Sequence, residues 1–205
     1  MAADHEDGSN PENDTFQYIF GFGSIMNTTT HAPWLQSSSS SKTEVSLPGA
    51  VVTLKRSFGY ERQWNFRSST GFTALGVCPC QIPQGNDMIG VLFRIPSDMI
   101  PGFDRRELGY QKVAIPLDQL VFHYDLDTES TSTSLSLDAQ TKFHLTDKDR
   151  IWIYVPLPSH ATNADENHPL LQSYVDTVLQ GCLEWAAKPW PNNFYRVRVD
   201  GVPTF

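Results

Sequence analysis

Two short segments of the sequence hold residues that could do chemistry, and the first is a glycine-containing loop. The apolar and aromatic run at 16–20 predicts a buried strand, and it stops at the Gly-Phe-Gly-Ser-Ile stretch of residues 21–25. A glycine-flanked turn of this kind can aim successive backbone N–H groups at a carboxylate or an oxyanion. The alternative is that Gly21 and Gly23 merely permit a tight turn, and local sequence by itself favours this alternative.

A single residue argues against two well-known uses of such a loop. A dinucleotide-binding fingerprint needs a third glycine at position 26, followed by a helix and a downstream acidic residue. A nucleophile elbow needs glycine two residues after the serine, which is again position 26. That position is Met26, so Ser24 is not expected to act as a nucleophile.

The second segment, Phe-Asp-Arg-Arg-Glu-Leu-Gly-Tyr at 103–110, carries a candidate acid or base at Glu107. A carboxyl group can serve as a general base and acid when burial raises its pKa toward neutrality. The alternative is an ordinary surface acid that pairs with Arg105 or Arg106 and contributes little. Read in isolation, the segment favours this structural alternative.

Neither a metal site nor a disulfide is expected. The histidines beyond the N-terminal tail are scattered, and no pair has the spacing of a metal site: His31, His123, His144, His160 and His168. Three cysteines, an odd number, suit a reducing compartment, and Cys78 and Cys80 are interpreted as plain thiols.

Composition favours one acidic domain outside the membrane. The chain has 205 residues and a formal net charge of −8, which argues against a nucleic-acid partner. The polar and acidic residues 1–15 lack the basic and apolar regions of a secretory signal, and we expect them to be disordered. Since no apolar stretch is long enough to span a bilayer, we expect no membrane association and a cytoplasmic location.

The pattern of apolar residues predicts many strands and few helices. Strands are predicted at 16–20, 45–56, 72–77, 88–95, 111–115, 120–125 and 150–156. A short helix or turn is predicted at 98–108, a Ser/Thr-rich loop at 127–140, and an amphipathic helix at 169–185. Because no regular βαβ alternation is visible, we expect a single α+β domain over 16–205, built around a barrel or a strongly curved antiparallel sheet.

Taken together, four segments in the right order resemble the gamma-glutamylcyclotransferase-like family. Residues 18–25 resemble the strand and the Tyr-Gly-Ser-Leu or Tyr-Gly-Ser-Asn loop that open these proteins. Residues 103–110 resemble their Asp-x-Arg-Glu-x-x-Tyr segment, which supplies the catalytic acid. Residues 151–154 are similar to a later strand whose tyrosine lines the pocket, and 172–182 to the helix that follows it.

The resemblance implies a fold, a reaction and a set of site residues. The fold would be a small mixed or antiparallel β-barrel with flanking helices. The reaction would release 5-oxoproline from a γ-glutamyl amino acid, amine or peptide, with Glu107 as general acid and base and with no cofactor. By the same resemblance Tyr154 would donate a hydrogen bond to substrate, and the substrate-binding residues would be Gly21, Phe22, Gly23, Ser24, Ile25 and Tyr154. Because the family often forms dimers, a homodimer is left open.

Two departures from the family keep other functions open. The loop tyrosine is Phe22 here, which retains the ring but loses the hydroxyl. Residues 62–67 and 73–77 lack the His-Arg-Gly stretch of the glutathione-specific branch, which favours other γ-glutamyl compounds or no catalysis. The alternatives are a non-catalytic small-acid-binding or regulatory member of the fold, and an amide-transfer enzyme that uses Glu107 on another substrate. Catalysis requires Glu107 to be partly buried and to face the amides of Gly23 and Ser24 across an empty pocket.

Overall fold

The computed structural model describes residues 16–31, 33, 47–80, 86–122, 143, 145–146 and 148–185. The tail predicted at 1–15 and the Ser/Thr-rich loop predicted at 127–140 lie outside the described residues. The C-terminal end of the domain predicted over 16–205 also lies outside them. Neither of the two α-helices in the described part of the chain has the length and apolar content needed to cross a membrane.

The described chain contains eight strands and two α-helices. The strands are β1 Phe16–Gly21, β2 Gly49–Leu54, β3 Tyr60–Arg67, β4 Thr73–Pro79, β5 Met88–Pro96, β6 Tyr110–Ala114, β7 Leu120–Phe122 and β8 Ile151–Pro156. The helices are α1 Ile100–Arg106 and α2 Gln172–Trp185. Short 3-10 turns lie at Ser24–Met26, Thr28–Thr30, Arg56–Phe58, Ser97–Met99 and Leu117–Gln119.

Six of the strands form one mixed sheet in the order β6-β8-β1-β5-β2-β7. The β1–β8 pair is parallel, and the other four pairs are antiparallel. The α+β class is therefore confirmed. The closed barrel expected from the resemblance is wrong. Within the described residues, β6 and β7 are the two edge strands of this sheet and do not pair with each other. The strands β3 and β4 pair with each other in a separate two-stranded sheet and do not close it.

Of these strands, β3 was missed by the sequence pattern. Its sequence, YERQWNFR, is rich in polar residues and lacks a clean alternation of apolar and polar positions. The pairing of β3 with β4 shifts register between Gln63 and Phe66, so an irregularity interrupts the period of two on which strand prediction depends. Within the strand, only residues 64–66 are buried.

The core is centred on the two middle strands of the large sheet. Phe20 of β1 and Phe93 of β5 are completely buried, and Phe103 of α1 packs into the same cluster. Full burial of a large apolar side chain contributes about 1.5–3 kcal/mol relative to exposure. The loop that follows β1 and the turn that follows α1 therefore both start from rigid, buried elements.

Helix α2 holds the segment that follows β1. The indole Nε1 of Trp185 donates to the Met26 carbonyl at 2.9 Å, and the Asn27 amide donates to the Thr177 carbonyl at 3.2 Å. The backbone N–H of Thr28 donates to a carboxylate oxygen of Glu184 at 3.0 Å. Three consecutive residues after the glycine loop are thus fixed by one helix.

We predict that Gly181→Ala destabilises the protein, although alanine is the better helix former. A Cβ at Gly181 would lie 2.6 Å from the Asn27 backbone nitrogen, so helix and loop must separate to accept it. Overpacking of this kind costs about 1–3 kcal/mol, against about 1 kcal/mol gained in helix propensity. Urea unfolding measures the change, with exposed Gln180→Ala as the control that should be nearly neutral. Equal or higher stability of Gly181→Ala would contradict the close helix–loop contact.

Candidate functional site

Glu107 lies at the C-terminal end of α1, with its side chain turned into the protein. Its backbone N–H donates to the Phe103 carbonyl at 2.9 Å, which ties the residue to the last turn of the helix. Only 11% of its side chain is exposed. Glu107 is therefore a buried carboxyl group and not the exposed surface acid of the structural alternative.

The partner of Glu107 is Arg106, whose guanidinium also reaches the glycine loop. Arg106 Nη1 pairs with Glu107 Oε1, and Nη2 donates to Ser24 Oγ and to Thr30 Oγ1, both at 3.1 Å. The Arg106 side chain is itself only 11% exposed, whereas Arg105 is an exposed residue. Arg106 thus connects the acid to the loop after β1.

Burial raises the pKa of Glu107 above its ordinary value, while the charge and hydrogen bond of Arg106 act in the opposite direction. The net shift is upward, because desolvation of a buried carboxylate outweighs the ion pair here. A carboxyl group with a raised pKa suits both steps of a proton relay, since it can accept a proton and later return it.

Three tyrosines, one each from β6, β8 and α2, lie close enough to the acid to be influenced by its charge. Burial is the main cause that raises the pKa of Tyr110, Tyr154 and Tyr174, and the negative charge of Glu107 adds to each shift. The Tyr110 hydroxyl donates to the Leu75 carbonyl at 3.2 Å. Glu107 and these tyrosines come from three regions of the chain, at 107–110, 154 and 174, and the tertiary fold brings them together.

The hydroxyl of Tyr154 donates to Asp104 Oδ1 at 2.8 Å, and Lys112 Nζ donates to Oδ2 of the same carboxylate at 2.9 Å. The resemblance implied that Tyr154 donates a hydrogen bond to substrate. In the structure that hydroxyl donates its proton to Asp104 of α1, whose carboxylate also accepts from Lys112 of β6.

The predicted loop residues divide into those near the acid and those in the core. Ser24 reaches Arg106, and Gly23 lies beside Tyr174, whose hydroxyl oxygen would be 3.8 Å from a Cβ at that glycine. Phe22 and Ile25 are buried members of the hydrophobic core. Gly21 is required for space, because a Cβ there would lie 2.9 Å from the Ile25 side chain.

The loop continues into a 3-10 turn that uses part of its backbone. The N–H of Met26 donates to the Gly23 carbonyl at 3.0 Å, and the N–H of Asn27 donates to the Ser24 carbonyl at 3.1 Å. These two amides stabilise the turn and are not directed at a ligand. Binding of an anion by the earlier amides of the loop stays a prediction.

A buried histidine, which sequence reasoning treated as one of several scattered histidines, supports this loop. His31 is 2% exposed, and its Nε2 lies 2.6 Å from the Ile25 carbonyl oxygen. Its ring packs edge-on against Phe93 and Phe103 at centroid distances of 5.0 and 5.6 Å. Burial lowers the pKa of His31 to about 4, so near neutral pH the ring is uncharged and Nε2–H donates to the carbonyl.

Sequence reasoning named the acid, Ser24 and Tyr154, and it offered Arg105 or Arg106 as the partner of the acid, but it gave no role to Asp104 or Thr30. Arg106 and Asp104 stand in the same segment as Glu107, and their position in the Asp-x-Arg-Glu pattern was the available signal. Thr30 had no comparable signal, because its contact with Arg106 joins residues far apart in the chain. The signal for Tyr174 was its place in the helix segment of the resemblance. Within the described residues, no group of three acidic, histidine or cysteine side chains is arranged to hold a metal ion.

No protein-family model and no curated protein matches the sequence. Among solved structures, a selenomethionine-labelled gamma-glutamyl cyclotransferase specific to glutathione from yeast matches with a TM-score of 0.54. It is 12% identical and covers 87% of this chain and 90% of that one. A structure described as a gamma-glutamyl cyclotransferase has a TM-score of 0.49 at 13% identity, covering 89% and 94% of the two chains. YkqA from Bacillus subtilis has a TM-score of 0.47 at 16% identity, covering 85% of this chain and 51% of that one.

The architecture is therefore that of a mixed α+β protein with a buried acid beside a glycine loop. More specifically, the chain has the gamma-glutamylcyclotransferase fold, as the likeness to the yeast enzyme over most of both chains shows. This confirms the fold that the four-segment resemblance predicted. At 12% identity the likeness concerns the fold, and the site residues rest on the contacts described above.

We predict that Arg106→Met is strongly destabilising and that Arg105→Met is not. Removal of one partner from a buried ion pair leaves an uncompensated charge and costs about 3–5 kcal/mol. Substitution of an exposed neighbour changes stability by about 0.5 kcal/mol or less. Urea unfolding of both variants at pH 7 checks this. Equal effects of the two substitutions would show that the buried charge of Glu107 is not stabilised by Arg106. The loss should shrink at acid pH, where protonation removes the charge of Glu107.

A second prediction concerns the pH dependence of stability set by His31. Between about pH 6.5 and 4 the unfolded chain binds a proton that the folded chain excludes, so stability falls as pH falls through this window. Between pH 7 and pH 4.5, His31 alone lowers the free energy of unfolding by about 2 kcal/mol. The variant His31→Gln keeps a donor for the Ile25 carbonyl. Its free energy of unfolding should fall less between these two pH values, by that same amount.

Urea unfolding of wild type and His31→Gln at pH 7 and 4.5 measures the effect, because all other titrating groups are common to the two proteins. The same pH dependence in both proteins would mean that His31 is accessible to protons in the folded state.

Proposed function

We propose that this protein is a γ-glutamyl cyclotransferase that releases 5-oxoproline from a γ-glutamyl compound with a free α-amino group. The single observation that carries the proposal is the buried Glu107 carboxyl, with a raised pKa, joined through Arg106 to Ser24 of the glycine loop. The gamma-glutamylcyclotransferase fold supports it. The substrate group, the leaving group and the catalytic role of Glu107 are parts of the proposal.

In the proposed reaction Glu107 moves protons between two nitrogens of one substrate. Its carboxylate takes a proton from the α-ammonium, and the amine then attacks the γ-carbonyl carbon to form the new C–N bond of a five-membered ring. As the tetrahedral intermediate collapses, the bond from the γ-carbon to the leaving nitrogen breaks and the Glu107 carboxyl protonates that nitrogen. Of the three ammonium protons, one stays on the lactam and two leave with the released amine.

The remaining groups of the site would hold the reacting conformer. Because attack is intramolecular, fixing the folded γ-glutamyl chain supplies a large part of the rate enhancement. Amides of the loop at 21–25 would bind the substrate α-carboxylate or the developing oxyanion. Arg106 would keep Glu107 and Ser24 at a constant separation while the carboxyl group gains and loses its proton.

The substrate class is left broad by the sequence around the site. Residues 62–67 and 73–77, on β3 and β4, lack the His-Arg-Gly stretch that the resemblance associates with glutathione specificity. We therefore infer that γ-glutamyl amino acids or γ-glutamylamines are better substrates than glutathione. The glutathione specificity of the yeast protein is a property of that protein.

The test is 5-oxoproline release by the purified protein from a panel of γ-glutamyl amino acids, γ-glutamylamines and glutathione. We expect release from at least one class and a loss of 100-fold or more in kcat for Glu107→Gln, since general acid–base catalysis contributes about 10²–10⁴-fold. Exposed Glu166→Gln, the same chemical change outside the site, serves as the matched control and should retain full activity.

The control for folding is the urea-unfolding midpoint of each variant under the assay conditions. Release that survives in a folded Glu107→Gln protein would exclude Glu107 as the proton-transfer group. A folded wild-type protein that releases no 5-oxoproline across the panel would instead favour the non-catalytic, small-acid-binding alternative.

A further inference from the structure

Tyr154 of β8, Asp104 of α1 and Lys112 of β6 form a hydrogen-bonded chain beside Glu107. The Tyr154 hydroxyl donates to Asp104 Oδ1 at 2.8 Å, and the Lys112 ammonium donates to Asp104 Oδ2 at 2.9 Å. Tyr154 is 3% exposed, whereas Asp104 and Lys112 lie toward the surface. The chain therefore runs from the buried tyrosine hydroxyl to a charge pair nearer the surface.

The hydroxyl of a tyrosine carries one proton, and Tyr154 donates its proton to Asp104. A tyrosine hydroxyl can donate one hydrogen bond and accept through its oxygen lone pairs. Since the donor is used by a carboxylate, the strongest kind of acceptor, the oxygen can offer the site only its lone pairs. Tyr110 is committed in the same way, because its hydroxyl donates to the Leu75 carbonyl.

We propose that Asp104 is a positioning residue that turns Tyr154 into a hydrogen-bond acceptor for the α-ammonium group of a glutamyl ligand. This inference rests on the proposed function for the identity of the ligand. It assigns to Tyr154 the polarity opposite to that implied by the family resemblance, in which the tyrosine donates to substrate. Asp104 acts through Tyr154 and does not itself touch the ligand.

The charges near Tyr154 agree with this polarity. Burial, followed by the hydrogen bond and charge of Asp104 and the charge of Glu107, raises the pKa of Tyr154, and the charge of Arg106 acts in the opposite direction. The net shift is upward, so the phenol keeps its proton through the working pH range. Donation to an oxyanion or a carboxylate would require the tyrosine to give up Asp104. Acceptance from an ammonium leaves the hydrogen bond to Asp104 in place.

The consequence is selectivity for ligands with a free α-amino group. L-glutamate carries that group and has no leaving amide, so the proposed reaction cannot consume it. Glutarate is the same dicarboxylate without the ammonium. The ratio of their dissociation constants therefore reports recognition of the ammonium separately from catalysis.

The experiment is calorimetric titration of each ligand into the full-length protein at pH 7, for wild type, Tyr154→Phe and Asp104→Asn. We expect wild type to bind L-glutamate at least tenfold more tightly than glutarate, since a hydrogen bond to a charged group strengthens binding by about a factor of ten or more. The preference should fall at least fivefold in Tyr154→Phe and at least threefold in Asp104→Asn, whose side chain has the same shape without the charge. Exposed Asp98→Asn, which removes one negative charge near the start of α1, should leave the preference unchanged.

Three results would overturn the inference: equal binding of the two ligands by wild type, binding of neither, or an unchanged preference in both Tyr154→Phe and Asp104→Asn. If Tyr154→Phe does not fold, the nearly isosteric Asp104→Asn still decides the question. The assay of 5-oxoproline release is independent of this titration. A protein that shows the expected preferences and releases no 5-oxoproline would refute the proposed function and leave Tyr154 as part of an amine-binding site.

Discussion

The candidate site depends on a single buried guanidinium. Arg106 neutralises the carboxylate beside it in sequence and holds Ser24 and Thr30 of the loop that follows β1. A buried carboxylate without a cation would be expelled toward solvent or protonated, and a buried guanidinium without acceptors would be equally unfavourable. Each half of the site therefore makes burial of the other half tolerable. The position of the acid relative to the loop follows from this one side chain.

The surrounding structure keeps both ends of that bridge in place. Helix α2 fixes the residues just after the loop through Trp185, the Thr177 carbonyl and Glu184. The neutral ring of His31 holds the Ile25 carbonyl from the core side. On the other side, Phe103 anchors α1 in the core four residues before the acid. Pre-organisation of this kind matters because a proton relay works only when its groups are held at hydrogen-bonding distance.

Much of the secondary structure could be predicted from local pattern. The buried runs at 16–20 and 88–95 became the central strands β1 and β5, because continuous apolar residues are typical of strands covered on both faces. The polar strand β3 could not be predicted, since its register shift and partial burial depend on β4. The open sheet could not be predicted either, because the pattern specifies strands but not which of them remain edges.

By itself the sequence determined the α+β class, most of the strands, the final helix and the candidate acid, since each depends on residues close together in the chain. Resemblance across four segments also determined the fold. Only the tertiary structure decided that Glu107 is buried, that Arg106 and not Arg105 is its partner, and that the hydroxyl of Tyr154 is used by Asp104. These properties depend on the dielectric environment and on contacts between residues 50 or more positions apart, and neither is encoded by spacing along the chain.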